Sequence, residues 1–322
     1  MLRTFAFLAA LAATPMVAAA DSHNYNYNSA EEDFAVFEST FGITPGKRRN
    51  HTKGFCFVGQ FSPVDPAILA YTSSPIFKAT SKVNGRVSHK GGNNQTPDNK
   101  FSDRGLAFDI TTPDGDYHVM GLNTEDFFPA SNPADFIDLV RTLPRGADAV
   151  KALAAERPEL AAYLKHHKHD REKVNRPYEG TTFNSVNAFY LVNGNGERTA
   201  IRWSMVPTTA KDFVVPESED FLMENMNANL AAGNVSWDMV VTIANPGDDP
   251  DNAAIQWTGE HKKITAARLT VMSTASEADG ECDAMNFDPT VLSDGFELSD
   301  DPVLAARSAI YAHGVGVRLG EK

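Results

Sequence analysis

Arg307 and Tyr311 stand four residues apart near the carboxyl terminus, in Ser299-Asp-Asp-Pro-Val-Leu-Ala-Ala-Arg-Ser-Ala-Ile-Tyr311. Pro302 suits the first turn of a helix, where a missing N–H is no loss. On that helix the guanidinium and the phenol share one face. A free phenol titrates near ~10, and a cation one turn away favours its charged form. The resulting phenolate is an oxygen ligand of the kind that ferric iron, including that of haem, accepts. Taken alone, the same spacing is more often a solvated contact on an ordinary helix.

Two other groups of residues could do chemistry. Cys56, between Phe55 and Phe57, offers a thiolate, but its place in an apolar run favours simple burial. His166, His167 and His169 cluster in Leu164-Lys-His-His-Lys-His-Asp170 and could take up a metal adventitiously. The ordinary reading is a solvated helix end, so none of the three is offered as a site residue.

The elements that must position these residues can be read coarsely. Phe34, Phe37 and Phe41 recur at helical spacing between Ala30 and Ile43, ahead of Pro45-Gly46. Strand patterns follow at residues 55–61, 82–87, 105–110 and 117–121, with a hairpin turn at Pro113-Asp-Gly-Asp. A short helical turn is expected at 66–70. Ser131-Asn-Pro starts a helix through Phe136, Leu139 and Val140, and residues 144–168 continue as helix after Pro144-Arg-Gly. A strand is expected over 185–193, then strands at 199–206, 237–243 and 264–272, with a helix near 217–232. Short strands around turns with inserted helices predict an α+β antiparallel barrel with helical additions.

The first twenty residues read differently. A basic start, an apolar run from Phe5 to Ala13 and small residues ending in Ala18-Ala-Ala20 make a secretory signal peptide, and the apolar run is too short for an anchor. Export is expected, to the periplasm in a Gram-negative cell, with no stable membrane insertion. Residues 21–30, with Asn-Tyr-Asn-Tyr-Asn, are expected to be flexible, and residues 31–322 to form one domain. The net charge of -13 argues against nucleic acid or an anionic membrane as partner. Cys56 and Cys282 leave two outcomes open: a disulfide, which an oxidising compartment permits, or two buried thiols.

Four dispersed motifs in order, Arg48-Arg-Asn-His-Thr-Lys-Gly54, Gly85-Arg-Val-Ser88, Gly121-Leu-Asn-Thr124 and the Arg307–Tyr311 stretch, resemble the haem catalase superfamily. The best match is its small branch, the catalase-related peroxidases, over nearly all of residues 30–322. The resemblance implies a catalase-like β-barrel, haem b (iron protoporphyrin IX) as cofactor and a C-terminal helix that ligates it. It makes Tyr311 the iron ligand and Arg307 the partner of its phenolate. His51 and Asn123 become the distal pair, and Ser88 the hydroxyl that orients His51. Arg48, Arg86 and Arg318 become propionate-binding arginines. Phe128 matches a distal aromatic, and Phe136 a neighbouring ring that packs on the haem. Two departures stand out: Val87 where the family usually has Phe, and Glu125-Asp126 after Thr124. Two carboxylates near a distal channel could change which reductants approach.

In those roles His51 is a base and then an acid toward hydrogen peroxide, for which imidazole is suited. Without the resemblance, His51 is a solvated histidine beside Lys47, Arg48 and Arg49. The glycines of Gly314-Val-Gly-Val317 are expected to let backbone pass close to the porphyrin edge. The implied function is a peroxidase that reduces hydrogen peroxide or small organic peroxides with a small organic electron donor, retaining weak catalase turnover. The chain ends four residues after Arg318, which favours this over an efficient catalase. A fatty-acid hydroperoxide isomerase and a non-enzymatic haem carrier or sensor are the remaining alternatives. His51 and Asn123 count against the carrier, and homo-oligomerisation is left open.

Overall fold

In β1 (Gly54–Pro63) the side chains of Phe55, Phe57 and Phe61 are buried on one face, while Val58 and Gln60 are exposed. Alternation of this kind fills the inside of a closed sheet. In the computed structural model, which describes residues 27–100, 102–167, 175–215 and 218–322, that sheet closes on itself. The expected leader at 1–20, the stretch from 21 to 26 and His169 lie outside the described residues.

β1 pairs with β2 (Ser81–His89), which pairs in turn with β3 (Arg104–Thr111) and β4 (Tyr117–Asn123). β5 (Phe183–Asn184) links β4 to a long strand, β7 (Arg198–Pro207). β6 (Phe189–Val192) lies beside the first half of β7 and carries β10 (Phe296–Leu298) on its outer edge. β8 (Val235–Ile243) pairs with β7, and β9 (Lys263–Ala275) joins β8 back to β1. The result is an eight-stranded antiparallel barrel of β1–β5 and β7–β9, with β6 and β10 attached. Closure leaves no long unpaired edge among these eight strands. The interior is solid with side chains such as Phe61, Phe108, Met120, Phe183 and Trp237. Phe57 packs across Gly85, where a Cβ would sit 2.2 Å from its ring.

α1 (Tyr27–Phe41) packs against α6 (Pro302–Gly320) and α2 (Pro133–Thr142). α3 (Ala147–Glu156) and α4 (Pro158–His167) pack on each other beyond α2. α5 (Leu222–Ala232) lies against β9. Among the described residues no helix is long and apolar enough to cross a membrane.

Three expectations need correction. α1 begins at Tyr27, inside the stretch expected to be flexible. The helix expected over 144–168 divides, because Pro158 forces Arg157 into an extended conformation (φ -129°, ψ 95°). The strand expected over 185–193 is interrupted by Val186, whose φ of 64° no strand residue adopts, so only β6 remains. Gly314-Val-Gly-Val317 lies inside α6, where Gly314 lines the cavity beside the barrel and a Cβ on it would sit 2.8 Å from the ring of Phe34. Its lack of a side chain lets α1 approach α6. The cysteine question resolves as a bridge: Cys56 of β1 and Cys282 form a disulfide with Cα atoms 5.4 Å apart.

Candidate active site

Residues that alternate with the barrel core point outward from β2, β3 and β4. Their register sets Ser88, Gly105 and Asn123 in one row across three strands, and Arg86, Ala107 and Gly121 in the next. Small residues at Gly105, Ala107 and Gly121 leave room above the wall. That room is a cavity closed by α1, α2, α6 and the segments around His51, Phe128 and Phe287. Arg48, His51, Arg86, Ser88, Asn123, Phe128, Phe136, Arg307, Tyr311 and Arg318 all line it.

On the barrel wall, Nδ1 of His51 lies 3.0 Å from Oγ of Ser88, which leaves Nε2 as the nitrogen not engaged by the serine. His51 has a φ of 57°, a left-handed conformation uncommon for a residue with a side chain. Asn50 steadies it: its Oδ1 accepts from the backbone N–H of His51 at 2.9 Å and of Gly91 at 2.8 Å. Gly105 makes the contact feasible, because a Cβ there would lie 2.8 Å from Nδ1 of His51. Burial, then the charges of Lys90 and Arg86, push the His51 imidazole down to about 3. It is therefore neutral near pH 7 and able to accept a proton.

Tyr311 sits at the end of a polar chain. Nη2 of Arg307 donates to the Tyr311 hydroxyl at 3.3 Å, and Nη1 donates to Oδ1 of Asn187 at 2.6 Å. Asn187 donates in turn to Asp301 at 2.8 Å, and Asp301 caps α6 by accepting from the N–H of Val303. The left-handed Val186 turns the chain so that Asn187 reaches Arg307. Sequence reasoning missed Asn187, since its role depends on a corner that the alternating pattern of 185–193 conceals.

Arg48, Arg86 and Arg318 gather at one end of the cavity. Arg48 donates to the carbonyls of Cys282 and Met285 at 2.9 and 3.0 Å. Arg86 is paired with Glu277 and donates to the carbonyl of Thr52 at 3.1 Å. Arg318 donates to the carbonyls of Asp283 and Met285. Glu277 and Asp283, two acids absent from the sequence-level site, interleave with the three cations. Burial depresses Arg48 well below its ordinary value, and the like charges of Arg86 and Arg318 add to this. Three crowded guanidiniums against two carboxylates leave a deficit that further carboxylates would relieve.

The rings of Phe128 and Phe136 meet at a 44° tilt with centroids 4.6 Å apart, and Phe37 of α1 lies 6.2 Å from Phe136. Phe34 and Phe37 thus line the cavity as well as the helix interface. Of the two carboxylates expected near the distal side, Glu125 lines the cavity and Asp126 does not. Glu125 is buried against Lys90 and accepts from the Tyr163 hydroxyl at 3.0 Å. Burial raises its carboxyl, but Lys90 outweighs that and holds it below the usual carboxylate range. A second cavity, walled by Leu139, Val140, Val150 and Leu164, adjoins the first and shares Phe37, Asn50, Lys90, Pro129 and Phe136 with it.

The donor set suits a flat, dianionic, iron-bearing macrocycle: a phenol held by a guanidinium, apolar and aromatic walls, and a cluster of arginines short of counter-charge. The comparisons agree. A family model described as Catalase matches residues 43–322. The chain is 31% identical over 303 residues to a catalase-related peroxidase of Synechococcus elongatus, covering 88% of this chain and 86% of the relative. It is 28% identical over 293 residues to a catalase-related peroxidase of Mycolicibacterium paratuberculosis, covering 88% and 93%. A fungal catalase structure superposes with a TM-score of 0.75 at 17% identity, over 99% of this chain and 66% of that one. The present chain thus spans about two thirds of that catalase, and the likeness speaks to the fold.

Proposed function

The chain belongs to the catalase family, in its catalase-related peroxidase branch, and from that premise we propose a haem-dependent peroxidase that reduces hydrogen peroxide or a small organic peroxide with a small organic electron donor. The observation that carries this reading is a neutral, serine-bound His51 and an arginine-bound Tyr311 lining one cavity. Tyr311 would ligate the iron, with Arg307 stabilising its phenolate. Arg48, Arg86 and Arg318 would bind the propionates, and Phe128 and Phe136 would pack against the ring. When bound, haem b would supply the two electrons that reduce the peroxide and regain them from the donor.

The residues of the chain then have simple tasks. His51 takes a proton from one peroxide oxygen and returns it to the other as the O–O bond breaks, so that water, or the alcohol of an organic peroxide, leaves. Ser88, through Nδ1, fixes the ring and its tautomer so that Nε2 is the working nitrogen. Asn123 donates from its amide to the peroxide and orients it without exchanging a proton. The adjoining cavity of apolar side chains favours an organic donor over a second peroxide, since it gives such a molecule a place beside the first cavity. Export is part of the same proposal: the leader-like residues 1–20 and the Cys56–Cys282 bridge both suit an oxidising compartment.

The test is to load the purified chain with haem and compare oxygen release with organic-donor oxidation under added peroxide. Donor oxidation should dominate; fast oxygen release with negligible donor oxidation would make the protein a catalase instead. In the same preparation Tyr311→Phe should lose the phenolate-type absorption spectrum and retain haem poorly. An unchanged spectrum removes Tyr311 as the ligand.

A further inference from the structure

Asp126, three residues beyond Asn123, turns away from the cavity toward the end of α4. Its Oδ1 lies 3.4 Å from Nε2 of His166 and 3.7 Å from Nε2 of His167. The three ligand-type atoms all lie within 4.8 Å of one another. Oδ1 is buried and accepts no hydrogen bond, whereas Oδ2 accepts from Nε2 of Gln256 at 2.7 Å. An acceptor left without a donor in front of two imidazoles is costly unless something else fills the gap.

Ordinary histidine–aspartate pairs in this molecule look different. His89 meets Asp98 at 2.8 Å, and His261 meets Asp248 at 2.8 Å, both normal hydrogen bonds. At Asp126 both imidazoles stand back by more than half an ångström from that length. Metal–ligand bonds of ~2.0–2.2 Å in a tetrahedron separate the donor atoms by roughly 3.3–3.6 Å. The 3.4 Å distance falls within that spacing and the 3.7 Å distance lies a tenth of an ångström beyond it. The surroundings are also those of a prepared site. Gln256 fixes the carboxylate as an outer partner would. The ring of Phe127 lies 5.1 Å from His166 and 5.3 Å from His167, and Tyr163 lies 4.4 Å from His167. His167 is buried while His166 is exposed, so an ion could enter from solvent on the His166 side.

We propose that Asp126, His166 and His167 form a binding site for a divalent transition-metal ion of the Zn²⁺ class. Two imidazoles and one carboxylate, with a position left for water, suit that class better than Ca²⁺ or Mg²⁺, which prefer all-oxygen ligand sets. The ion ties the last turn of α4 to the segment that carries Asn123 and Glu125. Phe127, which lines the main cavity, separates the ion from that cavity by one ring.

The experiment uses the full haem-loaded chain, freed of other metals by a chelator and titrated with Zn²⁺ against a chromogenic competitor. One equivalent should bind, and zinc-edge X-ray absorption should report two imidazoles among the ligands. Asp126→Asn and His167→Ala should each weaken binding at least tenfold, and Zn²⁺ should raise the melting temperature of the parent chain but of neither variant. Fewer than two imidazoles in the parent spectrum overturns the site whether or not the variants fold. Unchanged affinity in either variant overturns it as well.

Discussion

A methyl group added at Gly105 would lie 2.8 Å from Nδ1 of His51 and 2.9 Å from Oγ of Ser88. Gly105→Ala should therefore push the imidazole off its serine without touching Tyr311 or the arginines. Peroxide cleavage should fall on the order of 10²-fold, the size of a misplacement of about an ångström, while haem is retained. An undiminished rate in stopped-flow measurements would show that the contact is not needed. His51→Ala should slow the same step by roughly 10²–10⁴ and spare haem binding, and unchanged cleavage kinetics would remove the histidine from the mechanism. Residue types with their own chemistry, such as His51, Tyr311 and Arg307, were legible in the sequence. Gly105 and Asn187 were not, since one matters through an absent side chain and the other through a left-handed neighbour. Glu277 and Asp283 were equally hidden, because acids close the arginine cluster only once distant segments meet.

Among the elements, α6 brings together the most requirements. Asp301 caps its first turn and also holds Asn187, which holds Arg307. Asp301→Ala should cost about 1–2 kcal/mol as a lost cap. It should also loosen Arg307, so haem dissociation should quicken along with the loss of stability. Denaturant unfolding with a shift below about 0.3 kcal/mol would show that the cap carries no weight. Element types were readable from period and punctuation, and most strands begin and end within a few residues of expectation. The misreadings have physical causes. An alternating pattern over 185–193 does not reveal that Val186 adopts a positive φ. The helix-forming composition of 144–168 masked the break that Pro158 imposes. Gly314 read as a place of close backbone approach, but that the ring of Phe34 rests on it was not legible, since that contact depends on how α1 packs on α6.

At the scale of the molecule, buried ionisable groups set the response to acid. Burial lowers His118 to about 3 from its ordinary 6.5, and burial with Lys90 and Arg86 does the same to His51. His89 is also lowered, mainly by burial. An unfolded chain takes up these protons as pH falls past 6.5, whereas folded His51 and His118 do so only near 3 and folded His89 at a pH below its ordinary value. Stability should therefore decline as pH drops through that window. Arg86 and Lys47, outweighing burial, hold Glu277 below its ordinary value, so it acts in the same direction at lower pH. Melting temperatures from pH 7 to pH 4 should fall steadily; a flat profile would mean that the histidines are not buried as described. The barrel as a class was legible, but its closure was not, since no local pattern says that β1 will pair with β9. That pairing has a consequence in time. Residues near 60 wait for partners near 270, so the ring cannot shut until most of the chain has been made. Contacts this distant in sequence form slowly. Tyr311 arrives later still, after the last barrel strand. The wall, with its His51 and Ser88, and the phenol that faces it thus come together only as synthesis ends, and a nascent chain carries no half-working centre.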